Sequence, residues 1–591
     1  MKNAPLFLSL LVIAAVSGCR TPVKLDSPDA RFESLARNFI DRMLERSPED
    51  ATVLGDHRFD AQFSDESKEG IAQGVQLRKA YLDSLGSIRI EDLSQMNRVD
   101  YDILRHNLEA DIFASEQLRP WENDPLHYNI GGAIFSLLAR NFAPLPDRMK
   151  SLAGRLSAIP EFLEHAKANL KNPPAVHVEA AIQQNEGNLS LLQETLTPFL
   201  DSIPAELREE IVPLRDAAVG ALKEYGSWLR IDLLPRAKGN FRLGTDLYDR
   251  KLAYTIDTDM RRGEILQYAE EDIQKTTNEL YDVCVHLWTK YFPNKPVPQN
   301  DEKNRGIVIG TVLKRLSDDR PDNTTILDVV RRDLDEATEF VRRNDLVSIP
   351  SNPLDVIMMP EFQRGVAVAY CDSPGPLEKN GKTFIALSLT PKDWPVERVQ
   401  SFFREYNAYM LKDLTVHEAM PGHFLQLMTG NRFKAPTMVR AIYASGTFAE
   451  GWATYAEQVM AEAGYGGLEF HAEQLKLHLR LVINAIIDQK IHTAGLTEKE
   501  AMELMMNKGF QEEGEAMGKW RRACLTSVQL STYFIGYIMF TNLRSRYERY
   551  VGPAFDAKLF HDKILSFGTL SPRYLPTLMQ LPVPKTAQSG F

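Results

Sequence analysis

The sequence predicts a mostly α-helical protein with one small antiparallel β-sheet near residues 355–390. Apolar residues recur at three and four positions over most of the chain, which lines one face of a helix. Only the stretch around 355–390 changes to short β-like runs beside a turn signal. No tract repeats at a fixed period or is of low complexity, which sets aside solenoids and arrays. Across 591 residues, 44% are apolar and 25% charged, enough for a large core in an ordinary globular protein. The net charge of -11 comes with no basic block, so nucleic acid is not an expected partner.

The first thirty residues stand apart. Lys2 follows Met1, and Leu6 to Val16 is apolar except for Ser9. That run is too short for a bilayer-spanning helix but suits the core of a signal peptide. It ends in Val16-Ser17-Gly18-Cys19, which resembles a bacterial lipobox. Residues 1–18 are therefore expected to be a cleaved signal peptide and Cys19 the lipidated residue. Residues 19–30, with Pro22, Ser27 and Pro28, read as a tether. Arg20 stands where an aspartate would suggest retention at the inner membrane, so the outer membrane is expected, with the protein on its periplasmic face. No later apolar run is long enough to cross a membrane.

Helical patterning starts with Phe32, Leu35, Ala36, Phe39, Ile40, Met43 and Leu44. It continues through Ala72–Leu85, Arg98–Leu118, Pro146–Asn169, Val178–Phe199 and Ala205–Leu229, punctuated by Pro173-Pro174 and Pro213. Arg262–Tyr291 and Thr325–Asn344 are two further helices. We divide the chain into an N-terminal helical region, 31–250, and a C-terminal region, 251–591, which together can form one helical body. Val356-Ile357-Met358-Met359, Val366–Tyr370 and Thr383–Leu389 are the expected strands, with Asn380-Gly381 as a turn before the last. Helix returns at Val396, and Val399–Val416 leads as one amphipathic helix into His417. Gly495 closes a later helix, and Thr497 with Glu500 makes the capping box of the next. Cys284, Cys371 and Cys524 lack zinc-ribbon spacing and are expected to be buried and mostly free.

The chemistry concentrates at His417-Glu418-Ala419-Met420-Pro421-Gly422-His423. A catalytic zinc takes three protein ligands and leaves a position for water, and an adjacent glutamate serves as base. In the usual His-Glu-x-x-His arrangement the two histidines are four apart and share a helix face. Here they are six apart, which on a regular helix separates them by about 120°. Pro421-Gly422 can break the helix and bring His423 back. A third ligand is expected downstream in Ala449-Glu450-Gly451-Trp452-Ala453-Thr454-Tyr455-Ala456-Glu457. Glu450 and Glu457 are seven apart on one helix face, and buried carboxylates need partners. The pattern suggests Glu450 as ligand and Glu457 as the group that orients a ligand histidine.

His-Glu-Ala-Met-Pro-Gly-His-Phe-Leu-Gln, the Ala449–Glu457 segment, Gly55-Asp56-His57-Arg58 and Phe534-Ile535-Gly536-Tyr537 together resemble the bacterial family called domain of unknown function 885. That family in turn resembles gluzincin metallopeptidases, especially the carboxypeptidase Taq and thimet oligopeptidase families. The resemblance implies a multi-helical gluzincin-like fold with a small sheet beside the metal helix. It implies one zinc ion held by His417, His423 and Glu450, with Glu418 as general base. It also implies exopeptidase or oligopeptidase action on short peptides. The two-residue insertion in the His-Glu motif is the departure from the gluzincin pattern.

Other residues carry weaker signals. Tyr533 and Tyr537, four apart, read either as donors to a developing oxyanion or as an aromatic core stripe. Asp488 and His492, also four apart, read as a pair behind the metal site or as a structural pair. Arg364 and Tyr370 flank a strand and are candidates for substrate contact. Two rival functions use the same ligands. One is a non-catalytic, metal-stabilised binding protein at the envelope, and the other a zinc hydrolase of a non-peptide amide.

Overall fold

The computed structural model describes residues 27–359, 368–378, 381–391, 394–433 and 435–582. Cys19 and Arg364 lie outside them. The described chain is mainly helix. The first helix, Pro28–Arg46, starts at Ser27, whose hydroxyl accepts from the Ala30 N–H, and it buries Phe32, Ala36, Phe39, Ile40 and Leu44. These are members of the apolar stripe seen in the sequence. Arg262–Tyr291 is a helix with the expected bounds. Of the later punctuation, Gly495 ends its helix at φ 70°, and Thr497 and Glu500 close the capping box.

The largest core joins Phe32, Phe39 and Leu104 of the N-terminal helices to Val356 and Ile385 of the sheet. It also takes in Val416, Phe448, Trp452, Phe540 and Phe560 of the C-terminal helices. The N-terminal helices up to Leu108 thus share their interior with the segments that carry the histidines. Residues 128–237 bury a separate interior between the helices Leu145–Asn169, Ala175–Ser190 and Ala205–Trp228.

The sheet has three strands, β1 (Leu354–Met358), β2 (Ala369–Asp372) and β3 (Thr383–Leu387), in the order β1-β3-β2. β2 runs antiparallel to β3, but β1 runs parallel to it, with Val356 opposite Ile385. The expectation of a purely antiparallel sheet is therefore corrected. The chain crosses from β1 to the far edge before β3 inserts between them, and only such a crossover lets two strands run parallel. β2 also lies later than the expected Val366–Tyr370, of which 366 and 367 are outside the described residues. Asn380, half of the expected turn, is outside them too. The β2–β3 connection is longer than a tight hairpin because it docks on the N-terminal segment. Leu377 donates its N–H to the Leu54 carbonyl at 2.9 Å. His57 bridges Asp60 and Glu378 at 3.0 and 2.9 Å while its ring stacks on Phe142 at 3.7 Å.

Seven helices then surround the histidines: α1 (Val396–Glu405), α2 (Ala408–Glu418), α3 (His423–Gly430), α4 (Gly446–Glu462), α5 (Gly467–Ala494), α6 (Glu513–Leu525) and α7 (Thr532–Val551). The expected single helix Val399–Val416 is two. Asn407 breaks it, because its side-chain oxygen caps the N–H groups of Tyr409 and Met410 at 3.0 and 3.2 Å. α4 and α7 meet closely at Gly451 and Gly536. A Cβ on Gly451 would lie 2.5 Å from the Gly536 Cα, so this crossing admits only glycine. Cys284, Cys371 and Cys524 are all free.

His561 tests the packing. Its Nε2 lies 2.9 Å from the Tyr455 hydroxyl and its Nδ1 2.8 Å from the Leu346 carbonyl, an arrangement a neutral imidazole protonated at Nδ1 satisfies. Burial pushes its pKa down to about 4. The unfolded histidine gains its proton near 6.5, so stability is full above that pH and is lost as pH falls toward 4, by on the order of 3 kcal/mol. Chemical denaturation as a function of pH should show this loss. In His561→Gln the stability difference between pH 6.5 and 4 should shrink by about that amount.

Candidate metal centre

The centre is built where α2 ends. His417 and Glu418 are the last two residues of α2, and His423 is the first of α3. Between them the ladder widens. Met420 donates to the Thr415 carbonyl, Gly422 to Val416 and Leu425 to Ala419, at 3.3, 3.0 and 3.3 Å, in place of the regular four-residue bonds. The Met420–Pro421 peptide is cis. Gly422 packs so tightly on the preceding turn that a Cβ there would lie 1.9 Å from the His417 carbonyl oxygen. Trp452, on α4, donates its indole N–H to the Pro421 carbonyl at 2.9 Å and pins the excursion from outside. The two extra residues of the motif are absorbed in this bulge. The imidazoles of His417 and His423 end 4.7 Å apart, ring centre to ring centre, and nearly perpendicular.

Glu450 meets them from α4. Its Oε2 lies 3.5 Å from the Nε2 of His417 and 3.5 Å from the Nε2 of His423. Three donor atoms, one from each residue, lie within 4.8 Å of one another. The 3.5 Å separations exceed the about 2.7–3.2 Å of an N–H···O hydrogen bond. They do match the edge of a zinc tetrahedron, where ligand atoms at about 2.0–2.1 Å from the ion sit roughly 3.4 Å apart. Glu450 Oε2 is buried and has no hydrogen-bond partner, which is costly unless something else satisfies it. The donor set of two imidazoles and a carboxylate is one that zinc accepts with a position to spare. On these grounds His417, His423 and Glu450 fit a zinc ion.

Glu457, two turns along α4, accepts from His417 Nδ1 at 2.6 Å. A proton held on Nδ1 leaves the Nε2 lone pair directed at Glu450, as ligation requires. Burial lowers the His417 pKa, but the carboxylates of Glu450 and Glu457 outweigh it and hold the group well above its ordinary range. Burial raises Glu450, yet its two imidazole neighbours keep the carboxyl ionised far below the usual range. A third buried acid, Asp413, sits one turn before His417 in α2 with neither oxygen hydrogen-bonded. Burial and the nearby Glu457 push its carboxyl well up. Sequence reasoning did not single out Asp413. An acid four residues before His417 in an apolar helix was the available signal.

The other predicted residues divide by position. Glu418 is buried and has no hydrogen-bond or ion-pair partner among the described residues, so its carboxylate is not committed elsewhere. Tyr370 stands in β2 next to Cys371, whose thiol is raised by burial and by the charge of Glu418. The sheet thus borders the site. Tyr533 lies on α7 and accepts from Arg522 and Gln529 at 3.3 and 3.4 Å. Its phenol is raised by burial and then by Glu450, and lowered by Arg522. Tyr537, one turn on, packs against His478 at 4.6 Å between ring centres, and burial and then Asp272 raise its phenol.

Asp488 and His492 serve other contacts. Asp488 accepts from the Tyr248 and Ser531 hydroxyls and the Val528 N–H at 2.9, 2.7 and 3.0 Å. His492 Nε2 lies 2.9 Å from the Thr526 carbonyl. Neither hydrogen-bonds to His417, His423 or Glu450. They hold the turn that leads into α7, and so position Tyr533 from a distance.

Two solved structures share this architecture over nearly the whole chain. A lipoprotein candidate of unknown function from Shewanella oneidensis is 32% identical, with a TM-score of 0.78, and the match covers 93% of this chain and 99% of that one. A second lipoprotein candidate, from Colwellia psychrerythraea, is 16% identical with a TM-score of 0.76 and covers 94% and 99%; it shows likeness of fold alone. The profile of a bacterial protein family of unknown function, DUF885, matches residues 48–579. No curated protein matches the chain. No described helix is long and apolar enough to cross a membrane.

Two substitutions test the geometry by zinc competition titration against a chelator. Gly422→Ala forces a Cβ onto the His417 carbonyl and should abolish tight zinc binding. Glu457→Gln should keep the fold and weaken zinc about 10- to 100-fold, the usual cost of losing a carboxylate behind a ligand histidine.

Proposed function

The chain belongs to the DUF885 family of bacterial proteins of unknown function, and from that premise we propose that it is a zinc-dependent peptidase acting on short peptides at the cell envelope. The observation that carries the proposal is the convergence of His417, His423 and Glu450 at zinc-ligand spacing beside an uncommitted Glu418. The resemblance to carboxypeptidase Taq and thimet oligopeptidase supports the same reading. A bound zinc supplies Lewis acidity, polarising a carbonyl and acidifying water.

The chain's own residues supply the rest. Glu418 takes a proton from the attacking water and passes it to the leaving amine. Tyr533, whose phenol feels the charge of Glu450, donates its phenolic hydrogen to the developing oxyanion. Glu457 keeps His417 in the right tautomer. Because the phenol's pKa is raised, it stays protonated, and a donor, at neutral and moderately alkaline pH. Lipidation at Cys19 places the enzyme on the periplasmic face of the outer membrane. Its partners are then short peptides and, through the anchor alone, the membrane.

Glu418→Gln separates the roles. It should retain one zinc per chain and lose peptide hydrolysis by at least about a hundredfold, the scale of general-base catalysis. Metal analysis and mass-spectrometric product profiling read the two outcomes. Full activity in the variant would remove Glu418 from the mechanism.

A further inference from the structure

Beyond Tyr533 stands a cation with no anionic partner among the described residues. Arg522, near the end of α6, is half-buried and donates to the side-chain oxygen of Gln529 at 2.8 Å and to the Tyr533 hydroxyl at 3.3 Å. Both acceptors are neutral, and among the described residues Arg522 has no carboxylate within ion-pair distance. Gln529 also donates to the Tyr533 hydroxyl, at 3.4 Å. The guanidinium is thus braced on one edge while its remaining N–H donors are uncommitted.

The surroundings sharpen this. Glu515 lies 3.1 Å from Arg480 and 3.7 Å from Lys519, and Arg480 also reaches Glu405 at 3.8 Å, so the acids beside these cations are already engaged. Lys519 lies one turn before Arg522 on α6, and burial pushes its pKa down to about 8 with Arg480 and Arg522 adding to the effect. Arg480, Lys519 and Arg522 thus crowd round Glu515, and of the three only Arg522 makes no ion pair with it. A half-buried guanidinium left without an anion is costly, and a planar carboxylate is the group its fork of donors matches best. Tyr533 accepts from Arg522 and lies on α7, which packs against α4, the helix of Glu450, at Gly451 and Gly536, so it connects this cation to the metal-centre helix.

We propose that Arg522, braced by Gln529 and Tyr533, binds the C-terminal carboxylate of the peptide held at the His417–His423–Glu450 centre, so that cleavage is counted from the C-terminus. This rests on the peptidase reading above. Arg522 then determines specificity, and Tyr533 links the carboxylate anchor to the reacting carbonyl. A purely structural role for Arg522, steadying Tyr533, would affect all substrates alike.

The test uses a random hexapeptide library made twice, once with free C-terminal carboxylates and once as C-terminal amides. The zinc-loaded full-length mature protein should release C-terminal fragments from the free acids and cleave the amides roughly ten- to a hundredfold more slowly, the range of one charge-assisted carboxylate contact. Arg522→Gln should abolish that preference, raising KM for the free acids with little effect on the amides. Equal cleavage of both libraries by the wild type, or an undiminished preference in Arg522→Gln, would overturn the proposal. An equal loss on both libraries would also overturn it and leave Arg522 structural. A binding arm separates this from failure of the peptidase reading. Zinc-loaded Glu418→Gln protein should retain free-acid peptides over amides in affinity selection, and the added Arg522→Gln change should remove the difference. Preferential retention without hydrolysis by the wild type would sink the peptidase reading and keep the anchor. Absence of preferential retention would sink the anchor.

Discussion

The approach of Gly422 to the His417 carbonyl is the contact on which the centre depends. A regular helix would turn His423 about 120° away from His417. The chain instead leaves the ladder after Glu418, makes wide bonds back to Thr415, Val416 and Ala419, and re-enters helix at His423. That return brings backbone against backbone, 1.9 Å from where a Cβ would stand. Only glycine fits, and Trp452 fastens the loop from α4, the helix that carries Glu450. Position of the two histidines and position of the carboxylate are therefore set by one packed unit. A second glycine contact, Gly451 on Gly536, brings α7 and Tyr533 against that unit.

The same unit concentrates charge where water is scarce. Glu450 and Glu457 flank His417, with Asp413, whose carboxyl is pushed well up, one turn away, and burying ionised groups is unfavourable without compensation. Without a metal the compensation is a proton on the imidazole, which is why two carboxylates hold the His417 pKa so high. In the proposed zinc form the ion takes over that role, and binding releases the proton. The acids are thus arranged for a cation at His417 in either state. Beyond the Arg522–Tyr533 hydrogen bond three cations, Arg480, Lys519 and Arg522, gather round Glu515. A substrate that presents a carbonyl to one side and a carboxylate to the other would match both fields.

Local spacing made much of this legible. The helices follow from apolar periodicity, as in Phe32–Leu44, because each buries one face. The pairing of Glu450 with Glu457 follows from a separation of seven, and the structure brings both to the histidines. What depends on distant partners was not legible. The length of the β2–β3 connection is set by where it docks, on Leu54 and His57, more than three hundred residues upstream. Asn407 carried a capping signal, but apolar periodicity continued through it and masked the break. Asp488 and His492 have helix spacing suited to a pair, yet tertiary contacts with Tyr248, Ser531 and Thr526 claim them. Arg522 gave no sign in sequence, since its interest lies in the carboxylate it lacks.

The central claim is that His417, His423 and Glu450 together hold one zinc ion. Zinc K-edge X-ray absorption of the stoichiometrically loaded protein tests it most directly. The account predicts a four-coordinate first shell of nitrogen and oxygen, with the outer-shell scattering of two imidazoles, falling to one imidazole or to no bound zinc in His423→Ala. A shell unchanged by that substitution, or containing sulfur, would contradict it.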